Sequence, residues 1–138
     1  SGEIGDKRVM TTKQLAKTAI EALLDRKAAE IVLLRVTKQT TLADYYIICT
    51  GTSNTQLRAI ADAVDESMSK QYGLEPKSLE GYRSASWILL DYGSVIVHAF
   101  KSDTRQFYDL ERLWADAQKL NVDEFLASDD GDEEDENA

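Results

Sequence analysis

Few residues in this chain are equipped for chemistry near neutral pH. Its single histidine, His98, sits in the run VIVHAF, and its single cysteine, Cys49, in YYIICTG. Any Ser–His or Cys–His pair must therefore use His98 as its base. Alternation along a strand puts His98 on one face with Ile96 and Phe100. A histidine in that setting is more often a hydrogen-bonded structural group than a catalyst. Cys49 lies among apolar neighbours, where a thiol is usually inert packing. One Cys and one His fall short of the roughly four ligands of a structural zinc site. A lone cysteine also permits no intrachain disulfide, which fits a reducing, cytoplasmic setting.

Phosphate and metal chemistry have one candidate corner each. CTGTSNTQ carries a strand through Gly51 into a helix start, and the Gly51 to Thr55 corner has the free N–H groups and helix dipole that hold anions. An ordinary capped helix offers the same, and Ser53 with Gln56 forms the S-x-x-Q of a capping box. The Gly-Lys-Ser/Thr of a P-loop is missing, as is G-x-G-x-x-G. A glycine-hydroxyl corner after a strand also resembles the start of a nucleotidyltransferase site. Such a site needs paired carboxylates on a strand to hold two magnesium ions. Here Asp62 and Asp65 fall on a helix, and neither later strand has an Asp-x-Asp. No metal site and no cofactor are expected.

The remaining polar groups cluster in WILLDYGSVIVHAFKSDTRQFYDLERLW, which also holds both tryptophans. In WILLD, alternation places Trp87, Leu89 and Asp91 on one face and Ile88 and Leu90 on the other. Gly93 makes the turn to VIVHAF. Ser102 or Asp103 can cap a final helix. There Phe107, Leu110, Trp114 and Ala117 form a core stripe, with Glu111 at its border. Arg105, Tyr108 and Arg112 occupy another stripe. Trp, Tyr and Arg are enriched at interaction hot spots. Against this, Trp114 reads equally as core and Arg105 as pairing with Asp109 on the surface.

The elements that must position these groups follow from periodicity. Leu15, Ala16, Ala19, Ile20, Leu23 and Leu24 share one face of a helix over 11–26, capped by Thr11 or Thr12. EIVLLRV and DYYIICTG are short apolar runs that read as buried strands, joined by the polar link TKQTTLA. Leu57, Ile60, Ala61, Val64 and Met68 define a second amphipathic helix, ending near Tyr72 before Gly73 and Pro76. KSLEGY is a short extended segment. After Leu120 the pattern weakens, although Val122, Phe125 and Leu126 allow one more apolar turn. The expected fold class is α/β (α+β), a single mixed β-sheet with helices packed on it. The domain spans 11–120, followed by an extension over 121–138. Residues 1–9 are expected to be a disordered start or an appendage, with Met10 a candidate first residue.

Composition bounds the partners. The 138 residues are 43% hydrophobic and 30% charged, normal for one globular domain. No run approaches the ~20 apolar residues of a membrane helix. SGEIGDKRVM lacks the apolar stretch of a signal peptide. Of the net charge of −9, the tail from Ser128, SDDGDEEDENA, supplies seven acids and no base. The body then holds 18 acids against 16 bases, near −2. Such a tail is expected to be solvated and disordered. Neither part has the basic stripe of a nucleic-acid binder, so little direct nucleic-acid binding is expected. The tail reads first as a bland solubilising segment, with contact to a basic partner as the lesser alternative.

Two stretches carry a resemblance. LADYYIICTGTSNTQLRAIADAV and EGYRSASWILLDYGSVIVHAFKSDTRQFYDLERLWADA resemble the two signatures of the ribosomal silencing factor (Iojap-like) family, from about Thr12 to Ala117. One departure is Ser94, where the family usually has an acidic residue after DYG. The resemblance implies a non-enzymatic translation repressor with a nucleotidyltransferase-like core that lacks catalytic carboxylates. It implies binding to the large ribosomal subunit through its ribosomal protein number fourteen, a block on subunit joining, and a homodimer when free. On the matched motif, Trp87 and Tyr108 are expected as apolar anchors. Asp91, Asp109 and Glu111 would meet basic groups, Arg105 a carboxylate or carbonyl, and His98 would orient its neighbours. Trp114, Gly93 and Ser53 are expected to be structural. The residues alone leave two other readings open: a nucleotide-dependent enzyme at the Gly51 to Thr55 corner, and a plain dimerisation module.

Overall fold

The computed structural model describes residues 10–36 and 43–129. The expected disordered start, most of the TKQTTLA link and the acidic tail beyond Asp129 lie outside the described residues.

Capping and periodicity place the two long helices. Helix α1 (Thr12–Asp25) opens with a full capping box: Gln14 N–H donates to Thr11 Oγ1 at 3.0 Å, and Thr11 N–H to Gln14 Oε1 at 2.9 Å. It buries Leu15, Ala16, Ala19, Ile20 and Leu23. Leu24, expected on the same face, is 48% exposed instead, because it lies a further 100° around the helix from Leu23. Strands β1 (Ala29–Arg35) and β2 (Tyr45–Gly51) follow, with every residue of β2 buried. Helix α2 (Asn54–Tyr72) is capped by Ser53 and ends at left-handed Gly73; it buries Leu57, Ile60, Ala61, Val64 and Met68. The capping box here is only half made. Ser53 Oγ accepts from Gln56 N–H at 3.0 Å, but Gln56 Oε1 accepts from Thr52 N–H at 2.6 Å.

Strands β3 (Ser78–Glu80), β4 (Trp87–Asp91) and β5 (Val95–Lys101) complete the expected β segments. Gly93 turns β4 into β5 at φ +86°, and a Cβ there would stand 2.9 Å from Lys77 Nζ.

The last third departs from expectation. The single final helix is broken into α3 (Ser102–Tyr108) and α4 (Leu110–Leu113) by Asp109, which is left-handed at φ 49°. The break rotates α4, so the continuous stripe is lost. Leu110 is buried and Trp114 half-buried, whereas Phe107 is 80% exposed. Lys101, not Ser102 or Asp103, occupies the N-cap position and makes no side-chain cap. A further strand, β6 (Gln118–Leu120), and helix α5 (Val122–Ala127) follow. The expected boundary at residue 120 falls between them, yet Phe125 of α5 packs edge-on against Tyr45 at 5.4 Å.

The strands form one six-stranded mixed sheet in the order β3-β4-β5-β2-β1-β6. The central β2–β5 pair is parallel, and its neighbours are antiparallel. The fold class read from the sequence is therefore the observed one. The two faces are covered unequally. On one, α1, α2 and α5 bury Leu33, Ile47, Cys49, Ile88, Leu90, Val97 and Ala99. On the other, Leu34, Tyr46, Ile48 and Phe100 pack with Leu110, and Trp87, Ile96 and Trp114 join them only half-buried.

Candidate partner-binding surface

The thinly covered face is built by strand register. Trp87 lies opposite Phe100, Leu89 opposite His98 and Asp91 opposite Ile96. Across the parallel pair, Tyr46 aligns with Ile96 and Ile48 with His98. Alternation therefore delivers Trp87, Leu89, Asp91, Ile96, His98, Phe100 and Tyr46 to one side of the sheet.

Aromatic contacts order this side. Trp87 stacks on Phe100 with centroids 4.8 Å apart and meets Tyr108 at the same distance, tilted by 49°. Tyr46 meets Trp114 at 4.0 Å. His98 sits between these groups, 5% exposed. Its Nδ1 accepts the indole N–H of Trp87 at 3.1 Å, which places the proton of the neutral ring on Nε2. Burial lowers the His98 pKa to about 4, with the Asp91 carboxylate pulling the other way. The ring is thus neutral at physiological pH and fixes the Trp87 side chain by a directed bond.

Arg105 lies beneath the helical corner, 9% exposed. Its Nε and Nη2 donate to Glu111 at 3.2 and 2.9 Å in a forked pair. Its Nη1 donates to the Glu30 carbonyl at 2.8 Å and to Thr50 Oγ1 at 2.7 Å. Glu30 is itself left-handed, at φ 51°, where β1 is irregular against β2. One guanidinium therefore joins β1, β2, α3 and α4. A surface Arg105–Asp109 pair does not form; instead Asp109 reverses the chain so that Glu111 reaches Arg105.

The expected site residues thus divide. Trp87, Tyr108 and His98 come together, with Tyr108 half-exposed. Asp109 is exposed at the helix break. Arg105 and Glu111 spend their polar atoms on each other and on the frame. Asp91 sits at the far end of β4, where its Oδ1 accepts from Gly93 N–H at 2.7 Å and it lines a recess with Lys77, Tyr46 and Ile96. Trp114 braces Tyr46, Gly93 makes the hairpin turn and Ser53 caps α2. Sequence reasoning missed Tyr46, although the alternation of DYYIICTG already puts it with Ile48 and Thr50, opposite Tyr45, Ile47 and Cys49. It also missed Glu30 and Thr50, because nothing local marks them as the acceptors of Arg105.

The other chemical candidates are placed as well. Burial pushes the Cys49 thiol up to about 12, despite the Arg105 charge, so it is a poor nucleophile. At the Gly51 to Thr55 corner, Gln56 Oε1 already accepts from Thr52 N–H and the Thr52 hydroxyl. The Gln56 amide donates onward to the Arg26 and Lys27 carbonyls. A protein oxygen thus occupies a position an anion would take. Asp62 lies on α2 and accepts the Tyr82 hydroxyl at 3.1 Å. Among the described residues, no helix is long and apolar enough to cross a membrane.

Residues 9–138 match the family described as "Ribosomal silencing factor during starvation". The chain belongs to the ribosomal silencing factor family. Ribosomal silencing factor RsfS of Halalkalibacterium halodurans is 39% identical over 114 residues, 83% of this chain and 97% of that protein. A mitochondrial Iojap-related protein of Arabidopsis thaliana is 37% identical over 97 residues, 67% of this chain and 52% of its own length. A crystal structure of a Chromobacterium violaceum protein superposes with a TM-score of 0.74 at 36% identity, covering 89% of this chain and 98% of that one. The resemblance read from the two motifs is therefore family membership.

Proposed function

We propose that this silencing factor represses translation by binding the large ribosomal subunit and sterically blocking association with the small one. The observation that carries the reading is the half-buried aromatic face of the sheet, presented by a member of this family. Trp87 and Tyr108 are its apolar anchors. Asp91 and Asp109 supply carboxylates for basic groups on the partner, which we take to be ribosomal protein number fourteen. His98 orients Trp87, while Arg105 and Glu111 hold the α3–α4 corner that carries Tyr108 and Asp109. The mechanism needs no bond making: an occupied joining surface cannot also be an interface. A cytoplasmic location, and self-association through the same face in the free protein, belong to the same reading.

Co-sedimentation with purified large subunits tests this. The full chain is expected to pellet with them and to lower the yield of joined ribosomes when small subunits are added. Trp87→Ala and Tyr108→Ala are each expected to weaken binding by at least about tenfold. Subunit joining that is unimpaired by excess protein would remove the reading. Loss of self-association in Trp87→Ala with ribosome binding intact would favour a dimerisation module instead.

A further inference from the structure

Beside Trp87 an open recess of about 650 Å³ is lined by Ser84, Ser86, Trp87, Asp103, Thr104, Phe107 and Tyr108. Three aromatic rings and one carboxylate border it. Phe107 meets Tyr108 edge-on, with centroids 5.0 Å apart and planes at 89°, and Tyr108 in turn meets Trp87 at 4.8 Å. Phe107 is 80% exposed, more than any other large hydrophobic side chain among the described residues. It lies in the last turn of α3, just before the break at Asp109.

The charge in this recess is one-sided. Asp103 Oδ1 accepts from Thr104 N–H at 2.8 Å and, at 3.5 Å, from the Thr104 hydroxyl, and its second carboxylate oxygen faces no cation of the described chain. The cations on either side of the Ser102–Thr104 turn are engaged elsewhere. Lys101 Nζ donates to Asn54 on the α2 side, and Arg105 is held by Glu111, Glu30 and Thr50. Aromatic faces and an uncompensated carboxylate together favour a cation, and among side chains a planar guanidinium fits best, stacking on a ring while donating to carboxylate. Ser84 and Ser86 add hydroxyl acceptors at the rim.

We propose that this recess binds an arginine side chain of a basic protein partner, between the Trp87, Phe107 and Tyr108 rings and the Asp103 carboxylate. This rests on the proposed function for the identity of the partner, but the recognition chemistry stands by itself. It also gives the partner interface a polar lock beside its apolar anchors, so that an apolar surface alone would not satisfy it.

The test is a titration of the full chain with N-acetyl-arginine methylamide, followed by NMR. The Trp87 indole N–H and the Thr104 amide are the reporters. Saturable shifts of both are expected, weaker with the lysine derivative and absent with the norleucine derivative. Asp103→Asn and Phe107→Ala, both at exposed positions that spare the fold, are each expected to weaken arginine binding by about fivefold. Both variants should weaken co-sedimentation with large subunits in parallel. Equal response to norleucine, lysine binding as tight as arginine, or indifference of arginine binding to Asp103→Asn would each overturn the proposal. A wild-type chain that binds the arginine probe but not large subunits would sink the ribosomal reading and leave the recess standing.

Discussion

Protonation of His98 competes directly with its bond to Trp87, because Nδ1 cannot accept the indole N–H once it carries a proton. The unfolded chain takes up that proton near pH 6.5, whereas the buried ring takes it only near 4. Stability from this group is therefore complete above about pH 6.5 and is lost as pH falls toward 4, by on the order of 3 kcal/mol. His98→Asn keeps an acceptor but cannot titrate. Denaturant midpoints from pH 7 to 4 should fall more steeply for the parent than for this variant, and parallel profiles would show that the ring is not held neutral. Arg105 is the second single residue on which much depends. Arg105→Ala strips partners from Glu111, Thr50 and the Glu30 carbonyl at once and is expected to cost about 3 kcal/mol in urea unfolding. Glu111→Gln retains an acceptor in a more exposed place and should cost about 1 kcal/mol.

At the scale of elements, the helix break at Asp109 is the point where sequence periodicity and structure part. The i, i+3, i+4 spacing of Phe107, Leu110, Trp114 and Ala117 is consistent with one helix, and no glycine or proline interrupts it. What overrides it is tertiary: Arg105 collects Glu111 only if the backbone reverses at Asp109, and an aspartate tolerates the left-handed conformation better than most. Asp109→Val is expected to destabilise by about 1–2 kcal/mol, since a β-branched side chain is strained there, and Asp109→Gly to be neutral or slightly stabilising. Thermal melts of the two variants check this, and equal melting points would deny the strain. Elsewhere local signals were enough. The caps at Thr11 and Ser53, the stop at Gly73 and the turn at Gly93 are each marked by a residue type, and the alternation of WILLD gives the face of Trp87 and Asp91 correctly. Strand β6 was not legible, because QKL has no apolar pattern and is a strand only by pairing with Leu33 to Arg35. The candidate residues could be named from the sequence, but not the bonds that bury Arg105, because its acceptors Glu30 and Thr50 lie on β1 and β2, far away in sequence.

Taken whole, the chain keeps most of its net charge apart from the aromatic face. The body is near −2 and the last eleven residues carry seven acids, so long-range attraction to a basic partner should come mostly from the tail. Removing residues 128–138 is expected to slow association with large subunits several-fold at low salt while leaving dissociation nearly unchanged. Raising salt should erase the difference. Stopped-flow or surface-binding kinetics would show it, and a truncation that instead speeds dissociation would mean the tail is part of the contact. The central parallel pair has a further consequence, for the birth of the protein. Tyr45 aligns with Val95 and Gly51 with Lys101, so β2 keeps an open edge until β5 has been synthesised. A nascent chain halted before residue 95 holds α1, α2, β1 and β2 but exposes the hydrogen-bonding edge of its most buried strand. Such a half-made sheet is the species most prone to pair with a stranger, and the window in which it exists closes only when the hairpin that carries Trp87 and His98 emerges and seals it.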